Sequence, residues 1–333
     1  MASLRKTLLQ VFRVIESAPY LVRRTPPASR PCAYSNATCR AFISLAPDDE
    51  PEINDARAQI LDGRKVANEW QADIAREVEE LRRTKGIIPG LAVVLVGDRA
   101  DSLLYVKRKQ EACTSVGFNF FLSHLSSTVT QDEIQREVKT YSSNACIHGV
   151  LIQVPLPAHI CEAELLESID PSKDVDGFHP LNVAKLVMRG HTPDFVPCTP
   201  RGCAELLTRS GISVKGLHAV VLGNSNIVGL PFSMLLRDLG AASVMVVHNI
   251  NRLEEGADDH HISSKTREAD VVVAAVGKPH FVRKEWIKPG AIVFDVGINP
   301  MLVPASGEEL PQHEASGQTL PWVFPYLSRT NQY

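Results

Sequence analysis

Short apolar runs that alternate with helix-period segments constrain this chain more than any other feature. The run Leu91-Ala92-Val93-Val94-Leu95-Val96 is apolar without a break and stops at Gly97, the pattern of a strand buried on both faces. Ahead of it, Val66, Trp70, Ile74, Val78 and Leu81 recur every three to four residues, which predicts a long amphipathic helix opening near Arg64. Behind it come a helix through Tyr105 and Lys109, a strand over 118–122, a helix over 131–141 and a strand over 148–154 that stops at Pro155. A β-α-β-α-β order implies a parallel sheet with helices on its faces, and ligands in such sheets bind beyond the carboxyl ends of the strands. Gln153 sits at such an end, and Asp176 follows one short helical segment later.

A second alternating set begins at Thr199-Pro200, which predicts a helix start with Thr as N-cap and Pro in the first turn. Strands are expected over 217–222, 244–247, 271–276 and 292–296, with a glycine-bearing turn over 223–231 and a helix over 232–239. This set reads as Rossmann-like. The 333 residues suffice for two such domains, since domains usually run to roughly 100–200 residues. The expected fold is therefore α/β, an N-terminal α/β catalytic domain and a Rossmann-like dinucleotide-binding domain, with the active site in the cleft. After Asn299 the regularity fails, and 304–333 has no period.

Residues 1 to 47 carry Arg5, Lys6, Arg13, Arg23, Arg24, Arg30 and Arg40 against one acid, Glu16. A basic, acid-poor leader of this kind reads as an organellar transit peptide, mitochondrial first and plastid second; a disordered basic tail is the plainer alternative. Hydrophobic content of 44% and charged content of 22% are ordinary for a globular chain. A formal net charge of -3 provides no field to hold a polyanion, so nucleic acid is not an expected partner. The apolar runs are far shorter than the roughly 20 residues a membrane-spanning helix needs. Seven scattered cysteines without C-x-x-C spacing read as free thiols.

Tyr105 and Lys109 stand at i,i+4, which places a phenol and an amine on one helix face. A lysine, with a reference pKa of about 10.4, becomes a base near neutral pH only where burial or charge lowers it. The same spacing also describes a half-buried aromatic beside a solvated amine. In the stretch Gly223-Asn224-Ser225-Asn226-Ile227-Val228-Gly229-Leu230-Pro231, a strand ends and a helix opens, so helix N-terminal amides can meet a pyrophosphate. Its spacing is neither G-x-G-x-x-G nor G-x-S-x-G, which leaves a plain tight turn open. His260-His261, after Asp258-Asp259, reads as solvated loop rather than a metal site, and no metal is expected.

Five stretches in order carry a resemblance: the Tyr-x-x-x-Lys helix, Gly149-Val150-Leu151-Ile152-Gln153-Val154-Pro155-Leu156-Pro157, Lys173-Asp174-Val175-Asp176-Gly177-Phe178, Pro197-Cys198-Thr199-Pro200-Arg201-Gly202, and the glycine turn. Together they resemble the bifunctional methylenetetrahydrofolate dehydrogenase/methenyltetrahydrofolate cyclohydrolase family, over residues 60–299, with plant-like phrasing around 188–203. The resemblance implies oxidation of 5,10-methylenetetrahydrofolate to the methenyl form with NADP, NAD being the alternative, and hydrolysis to 10-formyltetrahydrofolate. It further implies Lys109 as the catalytic lysine, Tyr105 as the residue that positions the folate ring, Gln153 as the partner of the lysine, and Asp176 as the carboxylate that grips the pterin. Thr199, Gly223, Asn224, Ser225 and Ile298 are the cofactor-binding residues it implies. A homodimer is expected.

Two departures stand out. Where the family often has basic residues able to meet a 2′-phosphate, this chain has Asn224 and Asn249. After Asp295-Val296-Gly297-Ile298-Asn299 the family's glycine-rich loop and last helix have no counterpart, so the end reads as an atypical tail. The expected layout is a disordered transit peptide over 1–50, a folate-binding catalytic domain over 56–198, a Rossmann-like NAD(P)-binding domain over 199–301 and the tail over 302–333. The tail raises a second reading, a catalytically impaired isoform that acts as a dimer partner.

Overall fold

The computed structural model describes residues 21–24, 59–248, 260–278 and 281–296. Helix α1, Gly63–Lys85, is capped by Asp62, whose side chain accepts from the Arg64 and Lys65 amides at 2.9 and 3.1 Å. It ends at Gly86, left-handed at φ 63°, with Arg82, Arg83 and Lys85 on its negative end. One stripe of it, Trp70, Ile74, Val78 and Leu81, is buried.

The first sheet holds β3, Gly90–Val96, between β4, Asn119–Leu125, and β5, Gly149–Ile152, all parallel. Every residue of β3 is buried, and alternation divides them between two layers. Leu91, Val93 and Leu95 pack with α1 and with α2, Ala100–Val116; Ala92, Val94 and Val96 pack with Ile134 and Val138 of α3, Gln131–Ser143. A reciprocal capping box between Thr130 and Glu133 starts α3. The expected β-α-β-α-β run is thus present.

After α4, Glu162–Glu167, and α5, Pro180–Val187, helix α6 spans Cys198–Arg209. Its N-cap is Pro197, and Thr199 lies inside the first turn, so the expectation that Thr199 caps the helix is corrected: Pro197, at φ -48° and ψ 132°, is the last non-helical residue, and the helix opens two residues earlier than expected.

The second sheet has the order β2 (Gln59–Asp62), β1 (Leu21–Arg24), β9 (Ile292–Asp295), β8 (Val271–Ala274), β6 (His218–Leu222), β7 (Ser243–Val247). Strands β6, His218–Leu222, β7, Ser243–Val247, β8, Val271–Ala274, and β9, Ile292–Asp295, are its parallel members. Ala219 and Val221 face the layer of α6 and α7, Gly229–Asp238, where Phe232 meets Phe294 edge-on at 5.2 Å. Val220 and Leu222 face the other side, with Ile262 of α8, His260–Glu268. Helix α8 replaces the loop expected at His260-His261.

Two further strands have no counterpart in the sequence reading. β1, Leu21–Arg24, runs antiparallel to both β2, Gln59–Asp62, and β9. The expectation of disorder therefore fails for these four leader residues, whose backbone completes ladders on both sides. The remainder of the leader, the tail, Asn249 and Ile298 lie outside the described residues.

Candidate active site

Helix α2 buries Ser102, Val106, Lys109, Cys113 and Val116. These follow a four-three spacing, so Lys109 occupies the middle of a buried stripe in which it is the one charged residue. Its Nζ donates to Gln153 Oε1 at 3.1 Å, and both residues are buried. The backbone places Gln153 there, because its amide extends the β5 ladder by donating to Val94 O at 2.8 Å. Gln153 Nε2 donates to Val154 O at 2.9 Å, which turns Oε1 toward the lysine. A cis peptide joins Val154 to Pro155.

Tyr105, half-buried, precedes Lys109 by one turn, and Cys113 follows by one turn. Burial pushes the Cys113 thiol up to about 12, while the charge of Lys109 pulls the other way. This cysteine therefore stays a neutral wall of the lysine's pocket. Its place beside Lys109 was legible from the i,i+4 spacing, yet sequence reasoning passed over it.

Asp176 is buried in a loop fastened beside β5. The Val150 amide donates to Lys173 O at 2.8 Å, and Asp174 bridges to Val150 in parallel register. Asp174, also missed from the sequence, accepts from the Phe178 amide at 3.3 Å, the His179 amide at 2.9 Å and Asn182 Nδ2 at 2.8 Å. Burial raises the Asp174 carboxyl above its usual range; the three donors pull it back. Gly177 turns with φ 68°, and a Cβ there would stand 2.9 Å from Pro197 N.

The second constellation lies at the carboxyl end of β6. Gly223 has φ 107°, and a Cβ on it would meet Ala275 O at 2.4 Å. Asn224 to Ile227 are exposed. Ser225 Oγ accepts from the Val228 and Gly229 amides at 3.2 and 3.4 Å, and Ser225 O accepts from Leu230 at 3.1 Å. The first-turn amides of α7 are thus already capped, which leaves the turn preceding the helix as the place for an anion. Among the described residues no group of three or more His, Cys, Asp and Glu could hold a metal ion.

Comparison with known proteins gives a family match for each half of the chain. The family "Tetrahydrofolate dehydrogenase/cyclohydrolase, catalytic domain" matches residues 61–176, and "Tetrahydrofolate dehydrogenase/cyclohydrolase, NAD(P)-binding domain" matches residues 197–313. The chloroplastic bifunctional protein FolD 4 of Arabidopsis thaliana is 42% identical over 283 residues, covering 85% of this chain and 75% of that protein. The mitochondrial FolD 1 of the same plant is 45% identical over 257 residues, covering 76% and 70%. A Trypanosoma brucei methylenetetrahydrofolate dehydrogenase-cyclohydrolase, solved with NADP and an inhibitor, superposes with a TM-score of 0.68 at 40% identity, covering 73% of this chain and 80% of that one. The reading as an impaired isoform gains no support from these matches.

Proposed function

The chain belongs to the bifunctional tetrahydrofolate dehydrogenase/cyclohydrolase family, and on that premise we propose that Tyr105, Lys109, Gln153 and Asp176 carry out its two reactions. The activity is oxidation of 5,10-methylenetetrahydrofolate to the methenyl form with NADP, followed by hydrolysis to 10-formyltetrahydrofolate. The observation that carries the assignment is the contact of Lys109 with Gln153 inside a buried helical stripe. A charged side chain in such a place is retained for chemistry more readily than for stability.

The residues of the glycine turn fit the nucleotide: an exposed turn closes the carboxyl end of β6, and neither Gly223 nor Gly229 has room for a Cβ. Bound NADP supplies the hydride acceptor. Gly223, Asn224 and Ser225 would hold its phosphates, with Thr199 and Ile298 as further contacts. On the folate side Tyr105 sets the ring plane, and the acceptor-only carboxylate of Asp176 takes the donor edge of the pterin. Orientation is the main contribution to hydride transfer. In the hydrolytic step water attacks the methenyl carbon, and Lys109, held in line by Gln153 Oε1, relays the proton.

We assign the folate-binding domain to 56–198, the nucleotide domain to 199–301, the transit peptide to 1–50 and an atypical tail to 302–333. The basic leader supports an organellar destination, mitochondrion before plastid. The family supports a homodimer; β4 and β7 are end strands of their sheets. Among the described residues no helix is long and apolar enough to cross a membrane.

Replacing Lys109 by Met tests the assignment. Cyclohydrolase activity falls by about 10²–10⁴-fold, the usual worth of a positioned proton donor or acceptor, while hydride transfer remains measurable. Equal loss of both activities would assign Lys109 to binding or folding instead.

A further inference from the structure

The carboxylate of Asp174 is only 1% exposed, as is Asn182, and together they organise the loop that carries Asp176. Asp174 gathers the backbone amides of Phe178 and His179 on the far side of Asp176, while its own carbonyl accepts from Gly177 at 3.2 Å. The loop is thereby closed on itself around position 176. Asn182 supplies the third donor to Asp174, gives a second bond to Pro171 O at 3.1 Å, and accepts the Asp194 amide on Oδ1 at 3.1 Å. Asp194 is in turn paired with Lys185 at 2.8 Å. The segment that begins at Asp194 runs on to Phe195, Val196 and Pro197, and Gly177 packs directly against it. Both ends of the loop are fixed, one to β5 through Val150 and the other to this segment.

A buried carboxylate held by three neutral hydrogen-bond donors is an expensive way to build a loop. An asparagine would set its carboxamide NH2, a donor, against the Phe178 or His179 N–H, another donor. The arrangement is justified if the orientation of a neighbouring group depends on it. We propose that Asp174 and Asn182 are positioning residues for the folate: they touch no substrate, and they hold Asp176 in the orientation that receives the pterin. This inference rests on the assignment of Asp176 to the folate side.

The experiment compares Asp174→Asn, Asn182→Ala and Asp176→Ala in the full-length enzyme, measuring KM for methylenetetrahydrofolate, kcat at saturation, the fraction of active sites and the melting temperature. The expected result is a rise in folate KM of about tenfold or more in all three, the scale of one lost buried hydrogen bond, with kcat per active site in Asp174→Asn and Asn182→Ala within about twofold of the parent. A structural role alone would lower melting temperature and active fraction with KM unchanged, and that outcome in Asp174→Asn and Asn182→Ala overturns the proposal. If Asp176→Ala itself leaves folate KM unchanged, the assignment of Asp176 fails, and the proposal falls with it. Should Asp174→Asn not fold, Asn182→Ser, which leaves both backbone donors on Asp174, carries the same test.

Discussion

At the scale of single residues, the site depends on polar groups placed where the pattern asks for apolar ones. Lys109 was legible because its i,i+4 relation to Tyr105 is written in the sequence; its burial was not, since Val106 and Cys113 mark the stripe only once α2 is docked. Asp174 was invisible for a related reason. Two aspartates flank Val175, and only the packing of α5, which brings Asn182 to Asp174, separates the residue proposed as scaffold from the one proposed to meet the folate. His148 is a third case. Its Nδ1 accepts from the Gly90 amide at 3.1 Å, a bond that only the unprotonated nitrogen makes. Burial first, and the Lys173 charge second, hold its imidazole below the usual range. The native state therefore takes up this proton less readily than the unfolded chain, so the histidine contributes stability that is full above about pH 6.5 and is lost as pH falls below it. Asp174, raised by burial, works the other way and loses stability as pH rises through its titration. Comparison with His148→Gln isolates the first effect. Urea unfolding at about pH 7.5 and about pH 5.5 gives a larger acid loss for the parent than for the variant. Equal losses would mean that the Gly90 bond does not sense protonation.

At the scale of elements, the strands were the most legible part. A fully buried strand such as β3 has nowhere to place a polar residue, so its apolar run is unambiguous. The helix expected over 131–141 appears as α3, which starts as expected where Thr130 and Glu133 cap it and runs two residues further; the one expected over 232–239 appears as α7, which opens three residues earlier, where Ser225 accepts from the Val228 and Gly229 amides. Helix α8 was missed, since its turns carry His, Ser, Lys and Thr with little apolar content beyond Ile262. β1 and β2 were missed because segments of four residues, the first of them within the basic N-terminal stretch, carry no strand period; their partners, not their composition, make them strands. The glycine turn was read correctly as a strand-to-helix junction, and the structure adds why Gly229 stands six residues after Gly223. A Cβ at 229 would lie 2.0 Å from Gly223 O. Gly229→Ala must therefore push α7 away from β6, at a cost of about 1–3 kcal/mol for overpacking. The expected outcome is a lower melting temperature together with weaker NADP binding by titration, with folate binding to the first domain retained. Unchanged NADP affinity would separate this packing from the nucleotide site.

At the scale of the whole molecule, α1 joins the two halves. Its stripe from Trp70 to Leu81 belongs to the core of the first sheet, whereas Val66, in its first turns, and Leu61, in β2 just ahead of it, pack with the core of the second. Arg209, the last residue of α6, reaches across to this helix. Its Nη1 lies 3.1 Å from Asp73 Oδ2, its Nε lies 2.8 Å from Glu205, and its guanidinium stands 5.5 Å from the Trp70 ring centre. The magnitudes rank these contacts. The side chain of Asp73 is 39% exposed, so solvent screens that pair to a few tenths of a kcal/mol, about 0.2–1 at most. Trp70 is buried, and a guanidinium over its ring contributes about 0.5–1 kcal/mol, more where water is excluded. The arginine stem adds apolar cover to the same ring. Arg209→Ala should then cost about 1–2 kcal/mol, a fall of about 2–4 °C in Tm per kcal/mol for a chain of this size. Asp73→Ala should cost less than about 0.5 kcal/mol, with a coupling energy in the double-mutant cycle below about 0.5 kcal/mol. Arg209→Lys should lose most of the difference, because an ammonium cannot lie flat on the indole as a guanidinium does. Urea unfolding of the four members of the cycle measures these quantities. A coupling above about 1 kcal/mol would show that the exposed ion pair, and not the stacking on Trp70, joins α6 to α1.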